Sequence, residues 1–167
     1  MWNQIIESVF YQKKKKNLLT LKNKSLQFLE KKKNLNSKKS RVCVHDNSKT
    51  KVQEMFVFHK KGAYVRPHMH LKREESFHIV KGSVKLIIFD KKGKIIKKID
   101  MGEYSSGKTF YYKIKKNTFH TQIILKNTLF KEVTSGPFND KENLAAKWSP
   151  KDSDKKDVKN FLKNLQN

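Results

Sequence analysis

The sequence is poor in cysteine and in long hydrophobic runs, and each shortage excludes a class of protein. Cys43 is the only cysteine among 167 residues, so no internal disulfide can form and a reducing compartment is expected. No stretch approaches the roughly 18–20 apolar residues that a membrane helix requires. The first apolar residues precede the first lysines and are interrupted by polar ones, which argues against a secretory signal peptide. We therefore expect a cytoplasmic protein without a transmembrane segment.

Arginine is also scarce, although the formal net charge is +24. Only Arg41, Arg66 and Arg73 are arginines among 39 basic residues, whereas recognition of phosphates and bases favours the planar guanidinium. The lysines are spread over almost every segment, and the basic run 13–16 is interpreted as a solvated face. We predict no specific nucleic-acid partner. Loose attraction to anionic lipid head groups or polysaccharides stays open.

The pattern of apolar residues divides the chain into three parts. Residues 1–40 form a lysine-rich extension, with a short amphipathic helix over 25–33 and a polar connector after it. Residues 41–150 form the main domain, and residues 151–167 a tail with a helix over 155–165. Nine short strands are predicted in the main domain, over residues 41–45, 52–59, 63–70, 75–80, 84–90, 94–99, 110–114, 121–125 and 130–134. Many short strands at close spacing are typical of an all-β sandwich or barrel.

Residues 62–82, GAYVRPHMHLKREESFHIVKG, carry the clearest signal for chemistry. His68 and His70 are two residues apart on a predicted strand, so their side chains share a face and can reach a single ion. Glu75 follows a short connection and reaches the same ion if the next strand folds back antiparallel. A further histidine, His120, leads into another apolar strand. These four side chains are the candidate metal ligands.

Other ionisable residues nearby are excluded as ligands. His78 lies three residues from Glu75, so strand alternation directs it to the opposite face. Glu74 faces the other way for the same reason. His45 and His59 have no spacing that links them to the candidate ligands.

The spacing of Gly62, His68, His70, Glu75 and Gly82 reproduces the first motif of the cupin superfamily. The chain thus resembles a cupin, whose fold is a double-stranded β-helix, also called a jelly-roll barrel. We expect an all-β cupin fold with short N- and C-terminal helical extensions.

The second cupin motif is degenerate in this sequence. His120 stands at its histidine, but Lys115 replaces the proline and Asn117 the glycine. Ile124 occupies the position where the family often has an asparagine. Asparagine tolerates the left-handed backbone region, so Asn117 is the most acceptable substitute for a turn glycine.

A further likeness covers residues 41–150, where the chain resembles the WbuC family of cupin-fold metalloproteins. The matching segments are residues 41–45, 64–70, 89–93, 135–138 and 148–150. This resemblance implies a bound metal and a link to the synthesis of bacterial O-antigen and other surface polysaccharides. It supports the metal site better than any particular reaction.

Strand alternation suggests which residues surround the metal. Tyr64 and Arg66 share a face with the two adjacent histidines if the strand is regular, and Arg66 could grip an anionic substrate group. Gln122 shares the face of His120 and is a third candidate for substrate binding. Tyr64 and Glu132 are the candidate catalytic residues.

Three imidazoles and one carboxylate suit one divalent ion, Zn²⁺, Fe²⁺, Mn²⁺, Ni²⁺ or Co²⁺, without choosing among them. The leading hypothesis is a metal-dependent isomerase or epimerase acting on a sugar or nucleotide-sugar. The alternatives are a non-haem iron dioxygenase and a non-catalytic sugar-binding or regulatory cupin. Residues 86–89 are apolar on both faces and require cover from a second sheet, the N-terminal helix or another subunit. A homodimer is expected.

Overall fold

Strands predominate in the computed structural model, which describes residues 2–6, 8–12, 17–31 and 38–166. Two helices accompany them in these ranges, α1 (Gln27–Lys31) and α2 (Lys155–Gln166). The strands are β1 (Trp2–Ile6), β2 (Val9–Gln12), β3 (Lys39–Cys43), β4 (Val52–His59), β5 (His68–His70), β6 (Glu75–Lys81), β7 (Ser83–Phe89), β8 (Ile95–Gly102), β9 (Tyr111–Ile114), β10 (Phe119–Ile124), β11 (Thr128–Ser135) and β12 (Asn143–Ala145).

The strands form two sheets that share one core. The larger sheet has the order β1-β2-β3-β4-β11-β6-β9, and the smaller has the order β12-β5-β10-β7-β8. Strands β2 and β3 pair in parallel, whereas their neighbours pair antiparallel. From β4 onward the chain passes repeatedly between the sheets, with β7 and β8 as a hairpin inside one of them. This alternation is the winding of a jelly roll, so the expected all-β architecture is confirmed.

The inner faces of the two sheets pack against each other. Strand alternation directs Phe77 and Phe130 from the larger sheet, and Leu86 and Ile124 from the smaller, into a single buried cluster. Burying a side chain of this size contributes roughly 1.5–3 kcal/mol. Phe77 and Phe130 also line the cavity described below, so the core and the cavity share part of their wall.

The helices cover the outer faces of the sheets. Leu29 of α1 packs with Val42 and Phe58 on the larger sheet, and Leu165 of α2 packs with Ile87 on the smaller. One face of residues 86–89 is therefore covered by the second sheet, and the other face is covered by the C-terminal helix. The N-terminal helix covers the opposite sheet.

Several elements differ from the predictions. Strands β1, β2 and β12 were not predicted, and β5 begins only at His68 instead of residue 63. Pro67 has no N–H to donate, and its carbonyl accepts from the Ala146 amide outside the strand ladder. The predicted helix is α1 within the described residues, and its continuation over 32–33 lies outside them. The basic run 13–16 and most of the connector also lie outside.

Among the described residues, no helix has the length and apolar character needed to cross a membrane.

Candidate metal centre

Three strands bring the four candidate ligands to one point. His68 and His70 lie on β5, Glu75 begins β6, and His120 lies on β10, directly opposite His68 in the sheet. One ligand atom from each residue lies within 4.8 Å of all the others. The expected convergence of these side chains is therefore present in the structure.

The Glu75 carboxylate bridges two of the rings. Its Oε2 lies 2.8 Å from His70 Nε2, and its Oε1 lies 2.7 Å from His120 Nε2. The ring centroids of His68 and His120 are 4.5 Å apart. All four side chains thus present their ligand atoms to a small common volume.

Each imidazole is oriented by a hydrogen bond on the side away from this volume. The three acceptors are the Arg66 carbonyl for His68 at 2.9 Å, Asn143 Oδ1 for His70 at 2.6 Å and the Thr118 carbonyl for His120 at 2.9 Å. Because each Nδ1–H donates to an oxygen, each Nε2 is left with its lone pair toward the centre. Outer partners of this kind fix the tautomer and raise the basicity of a metal ligand.

Two atoms at the centre have no well-aligned hydrogen-bond partner among the described residues. They are Glu75 Oε1 and His120 Nε2, which are both buried and lie 2.7 Å apart. An unsatisfied buried polar atom is costly, and a cation between the two would satisfy both. The four residues therefore fit a divalent ion.

The electrostatics of the cluster favour positive charge at its centre. Burial, with the neighbouring His120, lowers the pKa of His68 to about 4, so this imidazole is neutral at pH 7. Burial alone would raise the pKa of Glu75, but the His120 and His70 rings lower it overall and keep the carboxylate ionised. Neutral imidazole and ionised carboxylate are the forms that coordinate a metal.

The turn before His120 has the expected backbone. Asn117 has φ 61°, in the left-handed region, and its N–H donates to the His70 carbonyl at 2.7 Å. Asparagine thus performs the conformational task of the glycine in the second cupin motif. This hydrogen bond joins the turn before β10, which carries His120, to the end of β5, which carries His68 and His70.

A cavity of about 840 Å³ opens beside the four ligands. Gln122, which shares the face of His120, and Glu132 both line it. The Gln122 amide donates to the hydroxyl of Tyr112. Burial and the negative charge of Glu75 raise the pKa of Glu132 to about 7, although Arg41 and Arg73 oppose the shift.

The prediction that Tyr64 and Arg66 line this cavity is wrong. The Tyr64 hydroxyl donates to the Pro150 carbonyl at 2.9 Å, and Arg66 Nη2 donates to the Ala146 carbonyl at 3.1 Å. Both side chains fasten the segment before α2 to the body of the protein. Regular alternation fails because residues 63–67 are not in a strand, and Val65 lines the cavity instead.

The residues excluded as ligands do lie outside the cluster. His78 is exposed, and Glu74 pairs with Lys113 at 2.7 Å on the surface. His45 and His59 line the cavity but are not among the grouped ligands. Cys43 is buried and lines the cavity too.

The cavity also contains residues that the sequence analysis did not single out. Arg41, Arg73 and Asn143 line it. The two arginines were recognisable only as rare members of a lysine-rich chain. Nothing in the local sequence marks Asn143, which reaches His70 through the pairing of β12 with β5.

Comparisons with known proteins found a partial family match and several similar structures. The model of a family described as a domain of unknown function, DUF6016, matches residues 21–101, just under half of the chain. A search among curated proteins found no match. The similar structures include a variant of Bacillus subtilis oxalate decarboxylase OxdC, KdgF from Halomonas sp. and the recombinant pro-11S globulin of pumpkin.

The likeness to these structures is distant. The oxalate decarboxylase has 23% identity and a TM-score of 0.48 over 57% of this chain and 24% of its own. KdgF has 17% identity and a TM-score of 0.47 over 65% of this chain and 87% of its own. The globulin has 11% identity and a TM-score of 0.45 over 53% and 22%. The chain spans about a quarter of the oxalate decarboxylase chain.

Two observations decide the fold: the strands are wound as a jelly roll, and the residues of the two cupin motifs converge at the candidate metal centre. The chain has a cupin fold. Its His/Glu group could hold a metal ion, as the first motif predicted. The resemblance to the WbuC family stays a prediction.

Proposed function

We propose that this cupin is a metal-dependent isomerase or epimerase that acts on a sugar or nucleotide-sugar in bacterial surface-polysaccharide synthesis. One observation supports the reaction: Glu132, a carboxyl group with its pKa raised to about 7, shares a cavity with the four candidate ligands. A group that titrates near neutral pH is suited both to remove and to return a proton.

The ion would be held by His68, His70, Glu75 and His120. This donor set suits Zn²⁺, Fe²⁺, Mn²⁺, Ni²⁺ or Co²⁺. When bound, such an ion supplies Lewis-acid polarisation of a sugar carbonyl or hydroxyl oxygen.

The residues of the cavity wall have separate tasks in this proposal. Glu132 would accept the proton from the carbon adjacent to the carbonyl group and return it to the sugar, so no net proton is gained or lost. Gln122, held by its bond to the Tyr112 hydroxyl, presents its remaining polar groups to the sugar.

Metal analysis of protein purified without added metal tests the site. We expect about one divalent ion per chain, and its loss in His68→Ala and His120→Ala. The exposed His78→Ala is the matched control and should retain the metal. Metal content that is low in the wild type and unchanged in His120→Ala would refute the metal site.

Turnover is tested by proton NMR of metal-loaded protein with sugars and nucleotide-sugars in D₂O. A carbon-bound proton next to the carbonyl should exchange for deuterium, and Glu132→Gln should slow the exchange about 100-fold or more while keeping the metal. Oxygen uptake after anaerobic iron loading would instead indicate a dioxygenase. Saturable sugar binding without exchange would indicate a non-catalytic binding protein.

The assembly and the compartment belong to the same proposal. Cupins often pair through a sheet, and we propose a homodimer in the cytoplasm. The molar mass from light scattering, compared with 19.8 kDa for one chain, tests the dimer.

A further inference from the structure

Two arginine side chains line the cavity beside the candidate metal centre. Arg73 lies on the connection between β5 and β6 and is 6% exposed. Arg41 lies on β3 and is exposed toward the cavity that it lines. Each side chain therefore contributes a guanidinium group to the wall of one chamber.

Arg73 is buried among uncharged partners. Its Nη2 donates to Asn143 Oδ1 at 2.5 Å, and its guanidinium carbon lies 5.3 Å from the centre of the Phe138 ring. Its Nε is buried and has no hydrogen-bond partner in the part of the chain that the structure describes. A buried charge is normally paired, because removing it from water costs several kcal/mol.

Among the described residues, Arg41 also lacks a carboxylate partner. Its Nη1 lies 4.0 Å from the Met55 sulfur, which is a weak acceptor. The positive charges of Arg41 and Arg73 oppose the rise in the pKa of Glu132, yet within the described part of the chain neither guanidinium forms an ion pair. The chamber therefore has guanidinium donors for an anion, and no carboxylate among the described residues pairs with them.

We infer that Arg73 and Arg41 bind the carboxylate or phosphate group of an anionic sugar while the metal centre holds its reacting end. This inference rests on the proposed function and names its substrate class. The guanidinium fork matches both oxyanions through paired hydrogen bonds. Arg66, predicted to fill this role, is instead used to fasten the C-terminal segment.

Isothermal titration of metal-loaded protein tests the inference with three probes: D-galacturonate, glucose 6-phosphate and neutral galactose. D-Galacturonate or glucose 6-phosphate should bind more tightly than galactose. Whichever of these two anionic sugars binds more tightly shows whether the arginines prefer a carboxylate or a phosphate group. Arg73→Gln and Arg41→Gln should each raise the Kd of that acid about 10-fold or more. Lys98→Gln, which removes one exposed charge from β8, should leave the Kd unchanged.

Metal content measured on the same samples separates binding from structure. Arg73→Lys keeps the charge but loses the fork, so it should retain the metal and bind the acid less tightly than the wild type. An unchanged Kd in Arg41→Gln and Arg73→Lys, or no acid binding by the wild type, would overturn the inference. If the anionic sugar binds through both arginines but no carbon-bound proton exchanges in D₂O, the anion site is supported and the proposed isomerase activity is rejected.

Discussion

At the scale of single residues, Asn143 connects the candidate metal centre to the wall of the cavity. Its side-chain oxygen accepts hydrogen bonds from His70 Nδ1 at 2.6 Å and from Arg73 Nη2 at 2.5 Å. The first bond orients the His70 ring, and the second holds the Arg73 guanidinium, which lies 70 residues away in the sequence. Asn143 is therefore a positioning residue rather than a ligand.

We expect Asn143→Ala to weaken metal binding by roughly 10- to 100-fold, the usual effect of removing such a partner. The reason is that His70 would lose the acceptor that fixes its tautomer and orientation. The measurement is a competition titration with a chromogenic chelator. Leu144→Ala, an exposed neighbour on the same strand, is the control. Equal affinities for the two variants would contradict this role.

The four ligands could be predicted because they depend on spacing within two short segments. His68 and His70 share a face by strand alternation, Glu75 follows a short connection, and the two cupin motifs contain all four side chains. Tyr64 and Arg66 were misplaced because Pro67 interrupts the ladder on which alternation depends. The partners from β12 could not be predicted, since a sheet pairing between distant segments leaves no local pattern.

At the scale of elements, the turn between β6 and β7 depends on Gly82. Its φ is 101°, and a Cβ added there would lie 2.4 Å from the Asn127 carbonyl oxygen and 2.8 Å from Thr128 Cα. Both contacts are with backbone, which cannot move aside cheaply. The turn fixes the register of strands on both sheets, so strain here is transmitted to the core.

We expect Gly82→Ala to reduce the free energy of unfolding by about 2–3 kcal/mol, through backbone strain and overlap. Gly107→Ala is the matched control, because Gly107 also has a positive φ of 70° but has no atom within 4 Å of an added Cβ. Its cost should be only about 1 kcal/mol. Urea unfolding measures both; an equal loss would show that overlap contributes nothing.

The strands near the start of the chain show where element prediction fails. Val9 and Phe10 are buried, but the polar residues around β1 and β2 conceal any regular alternation. Strand β2 pairs in parallel with β3, some 30 residues later in the sequence. By contrast, the bounds of β4 were predicted correctly because its apolar and aromatic residues extend over eight positions. Which residues of a strand as short as β2 are buried depends on tertiary contacts, and these leave no pattern in the local sequence.

At the scale of the whole molecule, the acid stability of the fold depends on a buried histidine, His59, in the wall of the cavity. His59 is 7% exposed and packs edge-on against Phe130, with ring centroids 5.1 Å apart. Its Nδ1 is buried, and no described residue provides it with a hydrogen-bond partner. Burial, and then the positive charges of Lys39 and Arg41, lower the pKa of His59 to about 3. The folded protein therefore resists adding a proton to this ring.

This lowered pKa predicts a specific loss of stability in acid. The unfolded chain takes up the proton near pH 6.5, whereas the folded chain takes it up near pH 3, so stability falls as the pH decreases between these values. From pH 6.5 to pH 4 the loss from His59 amounts to about 3 kcal/mol. His59→Phe keeps the ring packing and has nothing to protonate.

The free energy of unfolding of metal-free His59→Phe should therefore fall less between pH 7 and pH 4 than that of the wild type, by about 3 kcal/mol. Both proteins share the other acid-sensitive groups, including the four ligands, so these cancel in the comparison. His78→Phe, which changes an exposed histidine, should follow the wild type. Parallel pH curves for wild type and His59→Phe would mean that the folded protein admits this proton freely, and that the cavity wall at His59 opens to water in acid.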